Sequence, residues 1–215
     1  MIDFDEMISN HLKKNPWQKT IGRYYPSEVG GCLRKTWFSY VEPVEAEPEL
    51  AKVFELGNII HDFIVDVLRS EKNKNVELLE FEAPVKMIIN DFTISGRIDD
   101  VILIREKNEK YLLEVKSTTK TSYVKGLNPQ YKGQLMFYMH ASGVHKGIIL
   151  YVDKTNLSTK AFEVTYDKKD AERVIKRFKE LNEALKKRIM PYAEAKQDEN
   201  KKWMCKYCPY TDKCS

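Results

Sequence analysis

The fold is decided by Gly96-Arg-Ile-Asp-Asp-Val-Ile-Leu-Ile104 and Tyr111-Leu-Leu-Glu-Val-Lys116, with the polar stretch 105–110 between them. The β-branched and apolar runs predict two strands, and the polar stretch predicts the loop of a hairpin. Glu114 and Lys116 are two residues apart, so on a strand they project from the same face. Folding at the loop places Asp99 opposite either Glu114 or Lys116.

Two carboxylates and an ammonium that converge in this way suit a divalent cation that activates water against a phosphodiester. A Glu-x-Lys pattern on a strand is also typical of a solvated ion pair, so the hairpin alone does not define a site. The alternation of side chains along the strand does not decide whether Asp99 or Asp100 faces the site, because apolar residues occur on both faces of that strand.

Bulk composition indicates a folded globular protein with one domain, or one domain and an appendage. The chain has 215 residues, of which 42% are hydrophobic, enough to bury a core. Its 36 basic and 32 acidic residues give a net charge of +4, which is compatible with nucleic acid without requiring it. The sequence has no long apolar run and no basic leader at Met1, which predicts a cytoplasmic protein without a membrane span.

Four cysteines form the second signal. Cys205-x₂-Cys208-x₅-Cys214 places three thiols close together near the end of the chain, and Cys32 supplies a fourth. In a reducing compartment such a group predicts metal or cluster ligation rather than disulfides. Four thiolates suit either zinc or an iron–sulfur cluster, and spacing does not decide between them.

The N-terminal region predicts a short helix closed by Asn15-Pro16, followed by aromatic residues among lysines. Trp17, Tyr24 and Tyr25 would either stack on bases or form an aromatic entry to the core. Pro26-Ser27 predicts the start of a second helix, with Ser27 as its N-cap.

A long helix is predicted from about Glu49 to Arg69. Its expected core stripe contains five apolar residues at helical spacing: Val53, Leu56, Ile60, Phe63 and Val67. Gly57 and His61 lie one turn apart, away from the centre of that stripe, so the glycine clears space above the imidazole. A single helical histidine is more commonly structural, so His61 needs support from elsewhere.

The rest of the chain predicts a mixed α/β core. Strands are expected at 76–81, 85–89 and 92–98 before the hairpin, and at 147–153 and 161–165 after it. A helix from Asn128 to about Ser142 carries a polar line of Gln130, Gln134 and Tyr138, which either faces solvent or orients a site. Asp167 caps a final amphipathic helix whose apolar face is Ala171, Val174, Ile175, Phe178, Leu181, Leu185 and Ile189.

In this order, four motifs resemble the series found in RecB-like nucleases of the PD-(D/E)xK superfamily: Gly57-x₃-His61, Gly96-Arg-Ile-Asp99, Glu114-Val-Lys116 and Gln134-x₃-Tyr138. The cysteine pattern resembles the iron–sulfur subset, which includes the CRISPR-associated Cas-four exonucleases, the AddB nuclease domain and exonuclease V. The resemblance covers about residues 20–215, and the chain length is most similar to the stand-alone Cas-four type. No motif residue departs from the pattern, which implies a competent enzyme.

This resemblance implies a restriction-endonuclease-like core, a mixed sheet flanked by helices, with the N-terminal helices tied to the tail by a [4Fe–4S] cluster. The implied cluster ligands are Cys32, Cys205, Cys208 and Cys214. The implied ligands of manganese or magnesium are His61, Asp99, Glu114 and the main-chain carbonyl of Val115. Lys116 is implied to orient the attacking water, with Gln134 and Tyr138 positioning the nucleotide or Lys116.

The implied organisation is a single nuclease domain over 1–215, with its core at about 49–190 and cluster-binding segments at about 20–45 and 200–215. The implied activity is metal-dependent cleavage of single-stranded DNA, mainly as an exonuclease with 5′→3′ polarity favoured. The implied setting is trimming of CRISPR prespacers beside integrase proteins. The alternatives are a viral or repair nuclease outside CRISPR, and a non-catalytic DNA-binding module stapled by zinc.

Overall fold

The computed structural model describes residues 2–13, 18–28, 30–45 and 47–214. The helices of these ranges are α1 (Phe4–Leu12), α2 (Leu33–Val41), α3 (Pro48–Arg69), α4 (Pro129–Ser142), α5 (Lys168–Lys186) and α6 (Glu194–Gln197). The strands are β1 (Arg23–Tyr24), β2 (Val76–Ile89), β3 (Phe92–Ile104), β4 (Glu109–Thr118), β5 (Lys146–Asp153) and β6 (Thr159–Thr165). Single 3₁₀ turns occupy Pro26–Glu28 and Thr121–Tyr123, and a longer 3₁₀ segment occupies Lys202–Tyr207.

The strands form one mixed sheet, which confirms the predicted α/β class. Its order is β1-β3-β4-β5-β6, and β2 pairs with β3. The β3–β4 and β5–β6 pairs are antiparallel, whereas β4 and β5 are parallel and are joined through α4. A parallel pair needs such a crossover, because its strands run in the same direction. The crossover brings α4 onto the sheet next to the predicted site.

The central hairpin forms as predicted and fixes the register that the sequence left open. Asp100 pairs with Leu113, and Ile104 pairs with Glu109. In this register Asp99 lies opposite Glu114 rather than Lys116. The loop is shorter than 105–110, since Glu109 already belongs to β4; Asn108 makes the tight turn with φ +50°, a conformation that Asn tolerates better than most residues.

Two predicted strand boundaries are wrong, because the continuous pairing of β2 with β3 overrides the residues that locally favour a turn. The segments 76–81 and 85–89 are one strand, β2, which continues past Pro84 and past Glu82 at φ +48°. Its pairing with β3 runs from Val76↔Ile104 to Ile89↔Phe92, with one register shift between Leu78 and Glu80. Likewise, 92–98 and 101–104 are the single strand β3.

Helices cover both faces of the sheet. On one face, α4 and α5 contribute Leu135, Phe137 and Phe178 to a cluster that includes Leu112 and Ile149 of the sheet. On the other face, α3 packs Ile60 and Ile64 against Ile102, Leu113 and Val115. The residues of β4 therefore alternate between the two helical layers, with Glu114 on the α4 side.

The predicted core stripe of α3 is wrong apart from Ile60. Val53, Leu56, Phe63 and Val67 are 37–46% exposed, whereas Ile60, Ile64 and Val65 are buried. The helix is apolar on two faces, so spacing alone selects the wrong one. Because Ile60 and Ile64 form the buried face, His61, which follows Ile60, lies toward the sheet.

Other local predictions have mixed outcomes. The caps of α4 and α5 are confirmed: the Asn128 side chain accepts from Gln130 N–H, and Asp167 accepts from Asp170 N–H. Pro26-Ser27 opens only a 3₁₀ turn and not the predicted helix, because α2 begins at Leu33 with Cys32 as its N-cap. The predicted closure at Asn15-Pro16 and the role of Trp17 lie outside the described residues.

Burial also decides two further predictions, one for an aromatic residue and one for an apolar residue. Tyr24 is fully buried, so it belongs to the core and does not stack on bases. Ile189 lies beyond the end of α5 and is 61% exposed, so its assignment to the apolar face of that helix is wrong. None of the helices in the described ranges combines the length and apolar character needed to cross a bilayer.

Candidate active site

Glu114 is a fully buried charged group of the site. It is 0% exposed, and its Oε1 atom accepts a short hydrogen bond from Lys116 Nζ and another from Gln134 Nε2 at 2.7 Å. Strand alternation places Glu114 and Lys116 on the α4 side of β4, and the helical position of Gln134 points its amide at them. The second oxygen, Oε2, is buried and has no hydrogen-bond partner.

Asp99 closes the end of the β3–β4 ladder. The backbone pairs of these strands end at Asp100↔Leu113. One residue further, the Oδ2 atom of Asp99 accepts the backbone N–H of Val115 at 2.8 Å. A carboxylate thus takes the position of a main-chain acceptor, which holds Asp99 beside Glu114 where the two strands separate.

His61 reaches the same region from α3, on the other side of the sheet. Its Nε2 atom lies 3.6 Å from Asp100 Oδ2, beyond hydrogen-bonding distance, and the imidazole is 19% exposed. The built Cβ of Gly57, one turn earlier, would meet only Ser117 Oγ at 3.7 Å. A Cβ at Gly57 would therefore be in ordinary van der Waals contact, and the space predicted above the imidazole stays a prediction.

The electrostatics of these groups show how closely they interact. Burial raises the pKa of Glu114 to about 7, helped by Asp99 and opposed by Lys116. Burial also raises the pKa of Asp99, against the fields of Lys116 and the Val115 N–H. Burial lowers the pKa of Lys116, but Glu114 and Asp99 outweigh it and raise the pKa, so the ammonium keeps its charge. The neighbouring Asp100 carboxylate raises the pKa of His61 despite partial burial.

The donor set suits a divalent cation. Within the described ranges, the buried side-chain atoms without a hydrogen-bond partner are His61 Nε2, both carboxylate oxygens of Asp100, and Glu114 Oε2. Buried polar atoms are normally paired, so these four atoms without a partner require an explanation. Carboxylate and imidazole ligands match magnesium and manganese.

The side chains are not gathered into a closed coordination shell. Nowhere in the described part of the chain do three or more His, Cys, Asp or Glu side chains have the geometry of a metal-binding group. One oxygen of Glu114 and one of Asp99 face protein donors instead. The atoms left for a cation therefore belong to Asp100 as much as to Asp99, the residue that the sequence motif selects.

Gln134 and Tyr138 form the buried part of the predicted polar line on α4. They are 7% and 3% exposed, and Gln134 Nε2 lies 3.5 Å from Tyr138 Oη. A Cβ built on Gly96 would come within 3.0 Å of that hydroxyl, so glycine is needed there. Gln130 does not share this role, since its amide donates to Ser27 O at 3.3 Å.

Sequence reasoning missed Tyr131, which lies on α4 with the Lys116 ammonium 5.1 Å from its ring centroid. Its signal is its position one turn before Gln134. Asp100 is the alternative that alternation leaves open and that the motif resemblance does not select.

The four cysteines are brought together although Cys32 is far from the others in sequence. All four are free thiols that line one cavity of about 30 Å³, together with Arg34 and Phe38 of α2. Burial and the charges of the other three cysteines raise the pKa of Cys205. Thiols are ligands for zinc or an iron–sulfur cluster, but among the described residues the four cysteines share a cavity without being arranged as a metal-binding group.

Several contacts dock the C-terminal segment on α2 and α5. The rings of Phe38 and Tyr210 stack with centroids 5.2 Å apart. Glu194 accepts the N–H of Leu33 at 2.7 Å and pairs with Arg177, which also donates to Gly31 O at 2.8 Å. These bonds hold the backbone on both sides of Cys32 against α5 and the tail.

A family model that describes the PD-(D/E)XK nuclease superfamily matches residues 58–215. This range is most of the chain and includes both strands of the hairpin. The chain belongs to this superfamily. Its members usually employ a divalent metal such as Mg²⁺ or Mn²⁺, in agreement with the donor set above. Among curated protein sequences, none matches the chain.

Solved structures of similar fold include SSO0001, with a TM-score of 0.63, 21% identity, and coverage of 97% of this chain and 92% of that one. A phage-related exonuclease from Haemophilus somnus 129PT has a TM-score of 0.53 and 11% identity, covering 87% and 98%. The alkaline exonuclease LHK-Exo from Laribacter hongkongensis has a TM-score of 0.51 and 10% identity, covering 79% and 90%. At these identities the likeness concerns the fold.

Proposed function

We propose that this protein is a metal-dependent deoxyribonuclease that hydrolyses single-stranded DNA, mainly as an exonuclease. The observation that carries the proposal is the enclosed Glu114–Lys116 pair, held by Gln134, beside Asp99 and within electrostatic reach of His61. The Lys116 ammonium is 22% exposed, pairs with the fully buried Glu114 carboxylate and lies in the field of Asp99, so the pair is not a solvated surface ion pair. It suits a site where negative charge builds up on a phosphate.

Membership of the nuclease superfamily supports the reaction class, and the exonuclease neighbours have the same fold. LHK-Exo has also been crystallised with dAMP, with a TM-score of 0.50, 12% identity, and coverage of 79% of this chain and 90% of that one. The preference for single strands, the favoured 5′→3′ polarity and an additional endonuclease activity are parts of the proposal, in line with the motif resemblance.

His61, Asp99 and Glu114, with the carbonyl of Val115, are the proposed holders of magnesium or manganese, and Asp100 is added from its position beside His61. The imidazole makes manganese the better activator. When bound, such a cation supplies charge neutralisation and a water of lowered pKa.

The side chains of the protein supply the rest. Lys116 orients the attacking water and stabilises the charge that develops on the phosphate. Gln134 fixes the Glu114 carboxylate through its 2.7 Å hydrogen bond. Tyr138 supports the Gln134 amide from the next turn of α4. Removing one preorganised donor of this kind costs about 10²–10³ in rate.

A [4Fe–4S] cluster on Cys32, Cys205, Cys208 and Cys214 is proposed as a structural cross-link. The convergence of the four thiols on one cavity and the docking of the tail on α2 support it. We further propose one nuclease domain over 1–215, with a core at about 49–190 and cluster-binding segments at about 20–45 and 200–215. The cross-link would close a passage that admits a single strand and excludes a duplex.

The proposed setting is the trimming of CRISPR prespacer ends beside integrase proteins. Co-purification with an integrase supports this setting, whereas isolation without one favours a viral or repair nuclease. Neither outcome affects the proposed chemistry, which rests on the site alone.

The test is incubation of end-labelled single-stranded DNA with Mn²⁺, comparing the wild-type protein with Asp99→Ala. The proposal expects shortening of the strand by the wild type, none by the variant and none in chelator. Binding without cleavage by both proteins would instead support the non-catalytic module. A brown protein with broad visible absorbance indicates the iron–sulfur cluster, and a colourless protein containing zinc contradicts it.

A further inference from the structure

The charges of this chain are distributed unevenly around the end of β4. From Val115 to Val152 the sequence contains no Asp or Glu, although 32 of the 215 residues are acidic. Of the lysines in this stretch, Lys116, Lys132 and Lys146 pair with carboxylates from elsewhere in the protein. Among the described residues, no carboxylate oxygen lies within 4.0 Å of Lys120 or Lys125.

The two lysines flank an exposed aromatic ring. We define the β4–α4 segment as residues 119–127, which contains the 3₁₀ turn Thr121–Tyr123. Tyr123 is 69% exposed, and the Lys120 ammonium lies 5.5 Å from its ring centroid. An exposed tyrosine beside lysines without a carboxylate partner, in a stretch of sequence without acids, is the composition of a platform for single-stranded nucleic acid.

The platform is held in place by the sheet. Thr121 N–H donates to Asp153 Oδ2 at 3.3 Å, and Lys160 Nζ donates to Val124 O at 2.6 Å. Val124 and Leu127 pack against the hydrophobic core. The segment therefore presents Tyr123 outward from an anchored backbone, which reduces the entropy lost when a base stacks on the ring.

The segment is also close to the candidate active site along the chain. It begins directly after Thr118, the last residue of β4, two residues beyond Lys116. Ser117, between them, faces Gly57 on α3, one turn before His61. A strand with its scissile phosphate at Lys116 reaches this segment if it runs past the end of β4.

We propose that the β4–α4 segment is a binding subsite for the DNA strand, with a base stacked on Tyr123 and phosphates contacted by Lys120 and Lys125. The inference rests on the proposed function for its substrate class. Stacking on an exposed ring requires an unpaired base, so this subsite selects single strands over duplexes. It adds a source of selectivity separate from the width of any passage.

The test measures binding of a fluorescent oligothymidylate in chelator, without cleavage, over a range of salt concentrations. Tyr123→Ala is expected to weaken binding about tenfold or more, with an unchanged salt dependence. Tyr123→Phe is expected to retain wild-type affinity. Lys120→Ala combined with Lys125→Ala is expected to reduce the slope of log K against log salt by about 1.4.

Matched controls come from elsewhere on the surface. Tyr192→Ala removes a tyrosine of similar exposure, 68%. Lys72→Ala combined with Lys74→Ala removes two exposed lysines that lie just before β2 in the chain. The start of β2 pairs with the end of β3, just before the loop that leads to β4. Both controls are expected to bind like the wild type, as is Tyr123→Ala with a duplex of the same length.

The proposal is overturned if Tyr123→Ala binds the single strand as the wild type does and the double lysine variant keeps the full salt slope. This outcome is distinct from failure of the proposed function. A wild type that binds through Tyr123 yet does not cleave with Mn²⁺ refutes the nuclease and not the subsite. Cleavage that depends on Asp99 and is indifferent to Tyr123 refutes the subsite and not the nuclease.

Discussion

Asp99 accepts the backbone N–H of Val115 through a carboxylate oxygen at 2.8 Å, at the point where the β3–β4 ladder ends. The same side chain therefore has two roles. It satisfies the backbone of β4 next to Glu114, and it contributes negative charge to the candidate metal site.

These two roles are separable by substitution. Asp99→Asn keeps an oxygen for the Val115 N–H and removes the charge, so we expect near-normal stability with loss of Mn²⁺-dependent cleavage. Asp99→Ala removes both and leaves a buried N–H unpaired, which costs about 1–3 kcal/mol in addition. Thermal melts and cleavage assays of both variants check this. Equal melting temperatures for the two variants would contradict the structural role.

The ligand assignment is tested by metal-dependent stabilisation. A ligand that binds only the folded state at 100 times its dissociation constant stabilises by about 2.7 kcal/mol. We expect Mn²⁺ to raise the melting temperature of the wild type and to do so much less for Asp100→Asn and Asp99→Asn. A full Mn²⁺ shift in Asp100→Asn would remove Asp100 from the ligand set and leave the motif assignment of Asp99.

Tyr131 is expected to hold the Lys116 ammonium over its ring. A partly enclosed cation–π contact contributes about 0.5–2 kcal/mol. Tyr131→Leu should therefore lower kcat by about 2- to 30-fold with little change in KM, because it displaces Lys116 and not the substrate. Tyr131→Phe keeps the ring and should restore the rate. If Phe were as defective as Leu, the hydroxyl and not the ring would be responsible.

Cys208→Ala should destabilise the protein more than Glu114→Ala. The cluster would close a loop that spans most of the chain, and by the estimate used for disulfides one such closure contributes about 5 kcal/mol. Glu114→Ala loses the bonds to Lys116 and Gln134, but it also removes a buried oxygen without a partner, and the relieved desolvation cost offsets part of that loss. Denaturant unfolding of both variants decides the order. The reverse order would count against a structural cluster.

Glu194 should make folding depend on pH. Burial raises its pKa, but hydrogen bonds from Arg177 and the Leu33 N–H, with the charge of Lys201, outweigh this and lower the pKa. A carboxylate with a lowered folded pKa stabilises fully above its unfolded pKa, about 4.3 for Glu. This stabilisation is lost as the pH falls through the folded pKa.

We therefore expect Glu194→Gln to cost about 1–3 kcal/mol at pH 7 and to flatten the acid limb of a stability–pH curve. Glu183→Gln is the control, since its pair with Lys187 is an exposed i,i+4 contact worth less than about 0.5 kcal/mol. An unchanged acid limb in Glu194→Gln would show that other carboxylates govern acid unfolding.

The sequence by itself determined the structural features that depend on residues close together in the chain. The hairpin, the shared face of Glu114 and Lys116, and the helix starts at Asn128 and Asp167 follow from alternation and capping, which act over a few residues. The motif series likewise indicated the nuclease superfamily before any geometry was known.

Only the tertiary structure decided which face of α3 is buried, because that helix is apolar on two sides and packing against Ile102 and Leu113 selects one. The same selection turns His61 toward Asp100, a contact that no spacing rule contains. The meeting of Cys32 with the tail depends on α2, α5 and the Glu194 bonds together. Such contacts join distant parts of the chain, and their free energy comes from burial in the assembled fold, so local sequence patterns do not contain them.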